Sequence, residues 1–458
     1  MNTILRNTPD IEDLDKKYLF HPFTALAEHE KNGPSIIVKG EGVWLEDNHG
    51  NKYIDGMAGL WCVNVGYGRK EIADVLHQQA MTLPYFHSFS SWGTEAPVLL
   101  AEKIISKAPA GMSKVFFGQS GSDANDTQVK LVWYYWNSRG MPQKKKIIAR
   151  NRGYHGVTIV AGSLTGMPSL HSGFDLPLDF VRHTTAPYRL WEAEPGMSDA
   201  DFVAKLANDL EQLIEAEGPE TIGAMIMEPV MGAGGVIVPP STYWPEIKRI
   251  CAKYQILLVA DEVICGFGRL GTWFGHQYYD FEPDLAPIAK GLSSGYLPIG
   301  GVLVSDRVAQ VMMDEVGDFY HGYTYSGHPV AAAAALENIR IIEEEGLVER
   351  VRDDIGPYLA EALASLADHD MVGEAVSVGL MGAVQITADK ATRRRFVKPD
   401  DTGTAVRNQC VNAGVVLRAT GDRMLFSPPL IISRSEIDQA VGTLRNGLDW
   451  LKDNRGEG

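Results

Sequence analysis

Cysteine is scarce in this sequence, and the features that mark exported or membrane-bound proteins are missing with it. Four cysteines occur among 458 residues, without any C-x-x-C spacing. This pattern is typical of a reducing cytosol and offers no framework for a metal ion. No apolar run approaches the roughly 20 residues that a membrane span requires, and the acidic N-terminus lacks the apolar core of a signal peptide. The sequence therefore predicts a cytoplasmic protein with no metal centre and no membrane partner.

Positive charge is also in short supply. Lys and Arg number 42 against 58 Asp and Glu, which gives a formal net charge of −16. Nonspecific nucleic-acid binding rests on basic surface, so a nucleic-acid partner is not expected. Hydrophobic residues make up 45% and charged residues 22% of the chain, as in ordinary globular proteins. A chain of this length without internal repeats usually forms two or three domains.

The order of apolar and helical segments predicts an α/β fold. Over residues 97–330, helical stretches alternate with short β-rich apolar runs, for example Ile256–Ala260. This alternation favours a mainly parallel sheet with crossover helices. Beyond this region the pattern changes to that of a smaller α+β domain. We therefore expect a large domain over 61–327, a small C-terminal domain over 328–458, and an N-terminal segment, 1–60, that packs with the small domain.

Two residues in the expected large domain have the chemistry that a pyridine-aldehyde cofactor needs. Asp261 ends the apolar run Ile256–Ala260, and Lys290 follows in a stretch of small residues. A lysine amine can form a Schiff base with an aldehyde, and a carboxylate can keep a pyridine nitrogen protonated so that the ring becomes an electron sink. Neither residue is specific alone. The pair predicts a cofactor clamp whose other contacts must come from elsewhere in the chain.

Three further segments could supply those contacts. Ser120-Gly121-Ser122 lies between a strand-like run and a long helical pattern, where backbone N–H groups can bind a phosphate; the alternative is a plain helix N-cap. Glycines on either side of Tyr154 and His155 would let the tyrosine ring lie against a planar ligand, although a core tyrosine and a structural histidine in a turn fit too. Glu228 ends an apolar run at the sheet edge where α/β proteins bind ligands, and a strand-end salt bridge is its alternative role.

One glycine-rich motif between Asp261 and Lys290 looks like a dinucleotide fingerprint. Gly266–Gly271 matches G-x-G-x-x-G after a strand, and such a fingerprint requires a helix that packs on the sheet next. The following segment, Thr272–His276, is aromatic and lacks helical periodicity. Asp261 and Glu262 also place negative charge where a pyrophosphate would bind. We therefore reject a nucleotide site here.

Together these motifs resemble those of the class III (omega) aminotransferases, which are pyridoxal-phosphate enzymes of the fold-type-I, aspartate-aminotransferase-like superfamily. The similarity covers nearly the whole chain. The motifs that carry it are His21-Pro22-Phe23, Asp55–Trp61, Ser120-Gly121-Ser122, Tyr154-His155-Gly156, Val259–Val263, Gly266–Arg269, Ala289-Lys290-Gly291 and Tyr323–Pro329. Within the class, the segment Trp61–Gly68 is typical of amine–pyruvate and putrescine-type transaminases.

The resemblance implies a role for each matched residue. Lys290 would form the Schiff base, and Asp261 would bind the pyridine nitrogen. The other residues expected to bind the cofactor are Ser120, Gly121 and Ser122 at the phosphate, Thr324 from the neighbouring subunit of a homodimer, Tyr154 and Val263 on the two ring faces, and Glu228 beside the ring. The residues expected to bind substrate are Phe23, Trp61, Phe89, Tyr154 and Arg418.

Two parts of this site need comment. Arg418, on the strand-like run Val415–Arg418, matches a mobile arginine that receives a substrate carboxylate, and its planar guanidinium suits that task; an ordinary surface salt bridge is the alternative. Gln119 replaces the asparagine common before Ser-Gly in the family, and Asp123 replaces the usual glutamate. Both replacements keep the polar character, and both put in doubt how the phosphate turn is supported.

The activity implied by the resemblance is transamination in two half-reactions. An amine or omega-amino acid gives its amino group to the cofactor through Lys290, which leaves a pyridoxamine form, and a keto acid, expected to be pyruvate, accepts it. A related aminomutase or decarboxylase would keep Lys290 and Asp261, so these residues do not exclude one. A cofactor-sensing regulatory protein is a more distant alternative. The sequence leaves open the amine, the stereochemistry and whether dimers pair into tetramers.

Overall fold

The computed structural model describes residues 10–315, 317–396 and 401–454. Its strands, in chain order, are β1 (Ile37–Glu41), β2 (Trp44–Asp47), β3 (Lys52–Asp55), β4 (Met112–Gly118), β5 (Lys146–Arg150), β6 (Val181–Thr184), β7 (Ile222–Met227), β8 (Leu257–Ala260), β9 (Leu285–Ile288), β10 (Gly300–Ser305), β11 (Val372–Val378), β12 (Met381–Ile386), β13 (Val415–Val416), β14 (Arg418–Thr420) and β15 (Arg423–Phe426).

Helices connect and cover these strands. In chain order they are α1 (Ile11–Tyr18), α2 (Leu26–Asn32), α3 (Ala58–Trp61), α4 (Lys70–Thr82), α5 (Glu95–Lys107), α6 (Gly121–Ser138), α7 (Ile159–Leu164), α8 (Arg189–Glu192), α9 (Asp199–Glu217), α10 (Tyr243–Lys253), α11 (Gly275–Tyr278), α12 (Asp306–Asp314), α13 (Pro329–Glu344), α14 (Leu347–Arg350), α15 (Gly356–Ala364), α16 (Asp401–Asn412) and α17 (Arg434–Asn454). A π turn, Val351–Ile355, joins α14 to α15. Across the described ranges, no helix combines the length and the apolar character needed to cross a membrane.

A seven-stranded sheet with the order β4-β10-β9-β8-β7-β5-β6 forms the centre of the described chain. Strands β9, β8, β7, β5 and β6 pair in parallel. Strand β10 runs antiparallel to both of its neighbours, β4 and β9, so β4 points in the same direction as β9. The prediction of an α/β fold with a mainly parallel sheet is confirmed.

Helices cover both faces of this sheet, which explains why its strands are almost continuously apolar. Successive side chains of a strand point to opposite faces. Ile147 of β5 accordingly packs in the cluster that contains Val129 of α6, whereas Ile148 packs in the cluster that contains Trp244 of α10. Since both faces are covered, ligands can reach the sheet only at its edges and strand ends.

Two smaller sheets complete the fold. One is antiparallel with the order β11-β12-β15-β14, and the other, β1-β2-β3-β13, joins N-terminal strands to a C-terminal strand through the parallel pair β3 and β13. The single strand expected over Val415–Arg418 is divided. The chain leaves β13 at Val416, and Arg418 begins β14 opposite Leu425 of β15. The domain boundaries proposed from the sequence stay predictions.

The carboxyl ends of the central strands meet at one edge, and the predicted cofactor residues follow them. Glu228 comes directly after β7, Asp261 directly after β8, and Lys290 two residues after β9. Tyr154 follows β5, and Ser120 stands between β4 and α6. Parallel strands bring their carboxyl ends to the same side of a sheet, which is where open α/β sheets bind ligands.

Candidate active site

The Asp261 carboxylate is buried and held by three neighbours. Its Oδ2 atom accepts a hydrogen bond from Nδ2 of Asn125 at 3.0 Å and lies 2.7 Å from Nδ1 of His155. Its Oδ1 atom accepts from the backbone N–H of Val263 at 3.1 Å. The residue is only 3% exposed, and a buried charge needs such partners. The result is a negative charge in a fixed position, with lone pairs left to bind a cationic N–H.

Asn125 and His155 are site residues whose part the sequence prediction missed. Besides its bond to Asp261, Asn125 donates from Nδ2 to the carbonyl oxygen of His155 at 2.7 Å, and both residues are buried. One feature of the sequence could have identified Asn125. It lies four residues after Gly121 and therefore on the same face of α6. His155 lies next to Tyr154, but nothing in that neighbourhood indicates a bond to Asp261.

Lys290 brings an amine to the same edge of the sheet. Its Nζ atom makes no hydrogen bond to any residue in the described part of the chain. Its φ of 46° is positive, a backbone strain that non-glycine residues tolerate mainly at functional sites. Burial lowers the pKa of Lys290, and the charge of Arg418 lowers it further, while Asp261 opposes both. A lowered pKa makes more of the amine neutral and therefore available as a nucleophile or base.

Glu228 anchors the loop that carries Tyr154. Its Oε1 atom accepts from the backbone N–H of Tyr154 at 3.1 Å, and its Oε2 atom accepts from the N–H of Gly232 at 2.7 Å. Burial raises the pKa of Glu228, and electrostatic interactions with His155 and Arg150 oppose this rise. Both carboxylate oxygens are therefore engaged in holding backbone, which makes Glu228 a support for the site.

The start of α6 is built to receive an anion. The Ser120 hydroxyl accepts from the N–H of Asp123 at 3.2 Å, while the Asp123 carboxylate accepts from the N–H groups of Gln119 at 2.8 Å and Ser120 at 3.1 Å. Asp123 stands where the family usually has glutamate, and this reciprocal capping box shows that aspartate also supports the turn from that position. The next two N–H groups, of Gly121 and Ser122, have no acceptor within the helix and lie where a phosphate can bind.

Two glycines are required for the close packing of these segments. At Gly156, whose φ is 129°, a Cβ atom would lie 2.4 Å from Oγ of Ser122. At Gly121, a Cβ atom would lie 2.9 Å from Cγ1 of Val263. The loop after Tyr154, the start of α6 and Val263 therefore surround one narrow space, which suits a flat ring with a phosphate at one end.

That space is a cavity of about 370 Å³, within the range of small-molecule sites. The predicted cofactor residues that line it are Ser120, Gly121, Ser122, Tyr154, Glu228, Asp261, Val263 and Lys290. Residues outside the prediction line it as well, among them Gln119, Asn125, His155 and Ile264. This single cavity is lined by a fixed carboxylate, an open helix start and an amine without a hydrogen-bond partner among the described residues. The residues present therefore fit pyridoxal phosphate.

Thr324, Phe23 and Phe89 do not line this cavity. Thr324 is exposed, and its carbonyl oxygen accepts from the Tyr85 hydroxyl at 2.5 Å. Phe23 is 68% exposed and Phe89 46% exposed. The sequence prediction assigned Thr324 to the site of a neighbouring subunit, so its position outside the cavity of its own chain is compatible with that assignment. The roles of these three residues stay predictions.

Arg418 and Trp61 lie near the cavity without lining it. Arg418 is half-buried, burial lowers its pKa, and its charge acts on both the Tyr154 phenol and the Lys290 amine. Trp61 is 2% exposed and belongs to the same apolar cluster as Ile264, which lines the cavity. The charge of Arg418 is therefore close to the cavity, and Trp61 packs in the apolar cluster that forms part of the cavity wall. The substrate roles of both residues stay predictions.

The glycine-rich motif Gly266–Gly271 has a packing role in this structure. Arg269 within it is fully buried and donates to Oδ1 of Asn64 at 2.7 Å. The preceding acid, Glu262, accepts from the N–H groups of Gly275 and His276, each at 2.7 Å. Arg269 thus ties the motif to the distant Asn64, and Glu262 holds the start of α11. None of the residues 266–271 lines the cavity.

Comparison with known proteins matches the chain to one family. The family model for class-III aminotransferases covers residues 25–448. A putrescine–pyruvate aminotransferase of Pseudomonas aeruginosa is 48% identical over 98% of each chain, and a diaminobutyrate–2-oxoglutarate transaminase of Halomonas elongata is 44% identical over 97% of each. The solved structure of an omega transaminase from Pseudomonas jessenii in complex with PMP is 44% identical, with a TM-score of 0.96 over 98% of this chain and 100% of that one.

This protein belongs to the class-III aminotransferases. Its fold is accordingly the fold-type-I fold that the sequence predicted, its cofactor is pyridoxal 5′-phosphate, and its chemistry is transamination. The cavity beside Lys290 and Asp261 supplies the chemical groups that this cofactor requires.

Proposed function

We propose that this aminotransferase takes the amino group of a primary amine or omega-amino acid and gives it to pyruvate. The observation that carries the proposal is the Lys290 amine, which has no hydrogen-bond partner among the described residues and faces the same cavity as the Asp261 carboxylate. The open start of α6 lies on that cavity too. The amine would react with the aldehyde of the cofactor, and the carboxylate would bind its ring nitrogen. The helix N-terminus would bind its phosphate.

Each of these groups has a separate task. The cofactor, when bound, supplies an electron sink for the charge left on a substrate carbon. Asp261 would hold the ring N–H of the cofactor with a carboxylate that Asn125 and His155 keep oriented. Lys290 would hold the cofactor through its amine and would serve as the general base and general acid that moves a proton at the substrate carbon. Its lowered pKa favours the neutral form that this transfer needs.

Recognition of two unlike substrates rests on Arg418 and aromatic side chains. Arg418 would bind the carboxylate of the keto acid through its planar guanidinium. When the amine has no carboxylate, Arg418 would turn away, and Phe23, Trp61 and Phe89 would bind the apolar part. The support for this is the electrostatic effect of Arg418 on Tyr154 and Lys290, which requires the guanidinium to be near the cavity.

Pyruvate is proposed as the acceptor because of the Pseudomonas aeruginosa relative, which is 48% identical over nearly the whole chain. The Halomonas elongata relative is a diaminobutyrate–2-oxoglutarate transaminase, and it is only slightly less similar, at 44% identity. The distinction therefore has to be made by measurement, and we expect pyruvate to be the better acceptor.

We further propose that the protein is a cytoplasmic homodimer in which Thr324 reaches the cofactor phosphate of the neighbouring subunit. Thr324 and its neighbour Tyr325 are exposed, and Phe89, which is also exposed, lies against Gly322. Phe86 and Trp92 are exposed as well. A patch of this kind usually marks an interface. The placement in the cytoplasm rests on the cysteine usage and composition alone.

The proposed activity is tested with purified protein, pyridoxal phosphate and a panel of amines. The panel contains putrescine, an omega-amino acid and an arylalkyl amine, each with pyruvate or 2-oxoglutarate, and alanine or glutamate formation is measured. Lys290→Ala should abolish both turnover and the absorbance band of the lysine-bound cofactor. Lys253→Ala, at an exposed lysine paired with Glu211, should change neither. Survival of the band in Lys290→Ala, or release of carbon dioxide from the donor, would overturn the proposal.

The role of Arg418 is tested separately, in single half-reactions. Arg418→Ala should impair the reaction with pyruvate much more than the reaction with an amine that lacks a carboxylate. Equal losses in the two half-reactions would contradict dual recognition while leaving the assignment of Lys290 intact.

A further inference from the structure

A continuous chain of hydrogen bonds joins α6 to the segment that carries Thr324. The Thr127 hydroxyl oxygen, on α6, lies 2.9 Å from Nε2 of His321 and 3.1 Å from the hydroxyl oxygen of Tyr323. Nδ1 of His321 lies 2.9 Å from Nζ of Lys130, also on α6. The Tyr323 hydroxyl donates to the carbonyl oxygen of Asp123 at 3.0 Å. Four contacts therefore bind residues 321–323 to the first two and a half turns of the helix.

The chemistry of the groups assigns a single direction to the protons. A lysine ammonium only donates, so Nδ1 of His321 accepts and Nε2 carries the hydrogen that goes to Thr127. The Tyr323 proton goes to a carbonyl oxygen, which only accepts, so the Thr127 hydroxyl donates to Tyr323. This order needs a neutral imidazole. Burial, with Lys130 adding to it, lowers the pKa of His321 to about 4, which keeps the ring neutral at physiological pH.

The surroundings make Thr127 the centre of the arrangement. Its side chain is fully buried, and it both accepts and donates within the chain of bonds. The ring of Phe116, on β4, stacks on His321 with centroids 5.3 Å apart and planes at 11°. The same helix carries Gly121 and Ser122 at its start. One packed unit therefore holds both the phosphate-binding turn of this subunit and the segment with Thr324.

We propose that Thr127, His321 and Tyr323 are positioning residues that hold Thr324 at the distance and angle needed to contact the cofactor phosphate in the neighbouring subunit. The inference rests on the proposed dimer in which Thr324 crosses the interface. Thr127 has no direct contact with either phosphate in this scheme. A substitution there should consequently act on the neighbouring cavity and not on the cavity of the subunit that carries it.

Hybrid dimers test this distinction. One subunit carries Lys290→Ala, so the lysine-bound absorbance band comes only from the other subunit, and two affinity tags isolate the hybrid. Thr127→Val, which removes the hydroxyl but keeps the shape, is placed either in the Lys290→Ala subunit or in the intact one. The measured quantity is the rate at which the band is lost after dilution into excess apoprotein of another pyridoxal-phosphate enzyme.

We expect about fivefold faster cofactor release when Thr127→Val is in the Lys290→Ala subunit, the effect of about one hydrogen bond, and little change in the other placement. Thr127→Ser should restore the slow rate, and Tyr323→Phe should mimic Thr127→Val if valine disturbs folding. Faster release only in the second placement, or in neither, overturns the proposal. The control hybrid, which carries Lys290→Ala in one subunit and no other substitution, must show the band. Absence of the band in this hybrid would refute the proposed function itself. If Thr324→Ala in the Lys290→Ala subunit has no effect, Thr324 does not reach the neighbouring cofactor and this proposal is overturned, while the assignment of Lys290 stands.

Discussion

Replacing Asn125 with alanine should destabilise the protein and loosen its hold on the cofactor. The Asn125 amide donates to Oδ2 of Asp261 at 3.0 Å and to the carbonyl oxygen of His155 at 2.7 Å. A hydrogen bond to a charged acceptor contributes about 1.5–3 kcal/mol and one to a neutral acceptor about 0.5–1.5 kcal/mol. Because Asn125 is fully buried, alanine at this position removes both bonds. We expect the free energy of unfolding of the apoprotein to fall by about 2–4 kcal/mol.

The cofactor should bind more weakly because Asp261 would be oriented by His155 and Val263 alone. We expect the Kd for pyridoxal phosphate to rise about tenfold, which corresponds to about 1.4 kcal/mol. Denaturant unfolding of the apoprotein and absorbance titration of the cofactor measure the two effects. Asn137→Ala is the matched control, because Asn137 lies on the same helix, is exposed, and has a side chain that bonds only Lys145 among the described residues. If Asn125→Ala matched this control in both measurements, the reasoning about Asp261 would be refuted.

Three other predictions follow from the charges and the packing of the site. Arg418→Gln should raise the pKa of Lys290, because the cation lowers it, so capture of pyridoxal phosphate by the apoprotein should reach half its maximal rate at a higher pH. Asp261→Asn should move that midpoint to lower pH, since the carboxylate raises the pKa of Lys290. Stopped-flow absorbance measures the midpoint of each variant. Shifts of the two midpoints in the same direction would contradict the opposite effects assigned to Arg418 and Asp261. Gly156→Ala should weaken cofactor binding at least about tenfold, because a Cβ 2.4 Å from Oγ of Ser122 adds a clash to a strained φ; an unchanged Kd by titration would show that the loop can move aside.

The fold class could be predicted because the central strands are continuous apolar runs separated by helical patterns. Covering both faces of a parallel sheet requires such strands, so the pattern predicted a mainly parallel sheet. The pattern did not show that the chain divides the run Val415–Arg418 between two sheets. Residues of either sheet can be apolar there, and the choice depends on pairing with β3 and β15, which are distant in the chain.

The positions of Asp261, Lys290 and Glu228 in the cavity could also be predicted, because each follows a strand end and parallel strands bring these ends together. The contacts of Asp261 could not. Asn125 and His155 lie 136 and 106 residues away from it, and a hydrogen bond requires its two atoms to be within about 3 Å. No local pattern specifies such a distance.

The sequence by itself determined the class of enzyme and its cofactor, because several motifs along nearly the whole chain resemble those of the class III aminotransferases. It predicted the residues that the cofactor needs, which stand at strand ends and helix starts. Only the tertiary structure decided which polar groups surround Asp261, and that Thr127 binds the segment before Thr324. Both arrangements join residues that are far apart in the chain, and their geometry is set by how helices and strands pack. Local chemistry therefore identifies the catalytic groups, and packing decides how they are held.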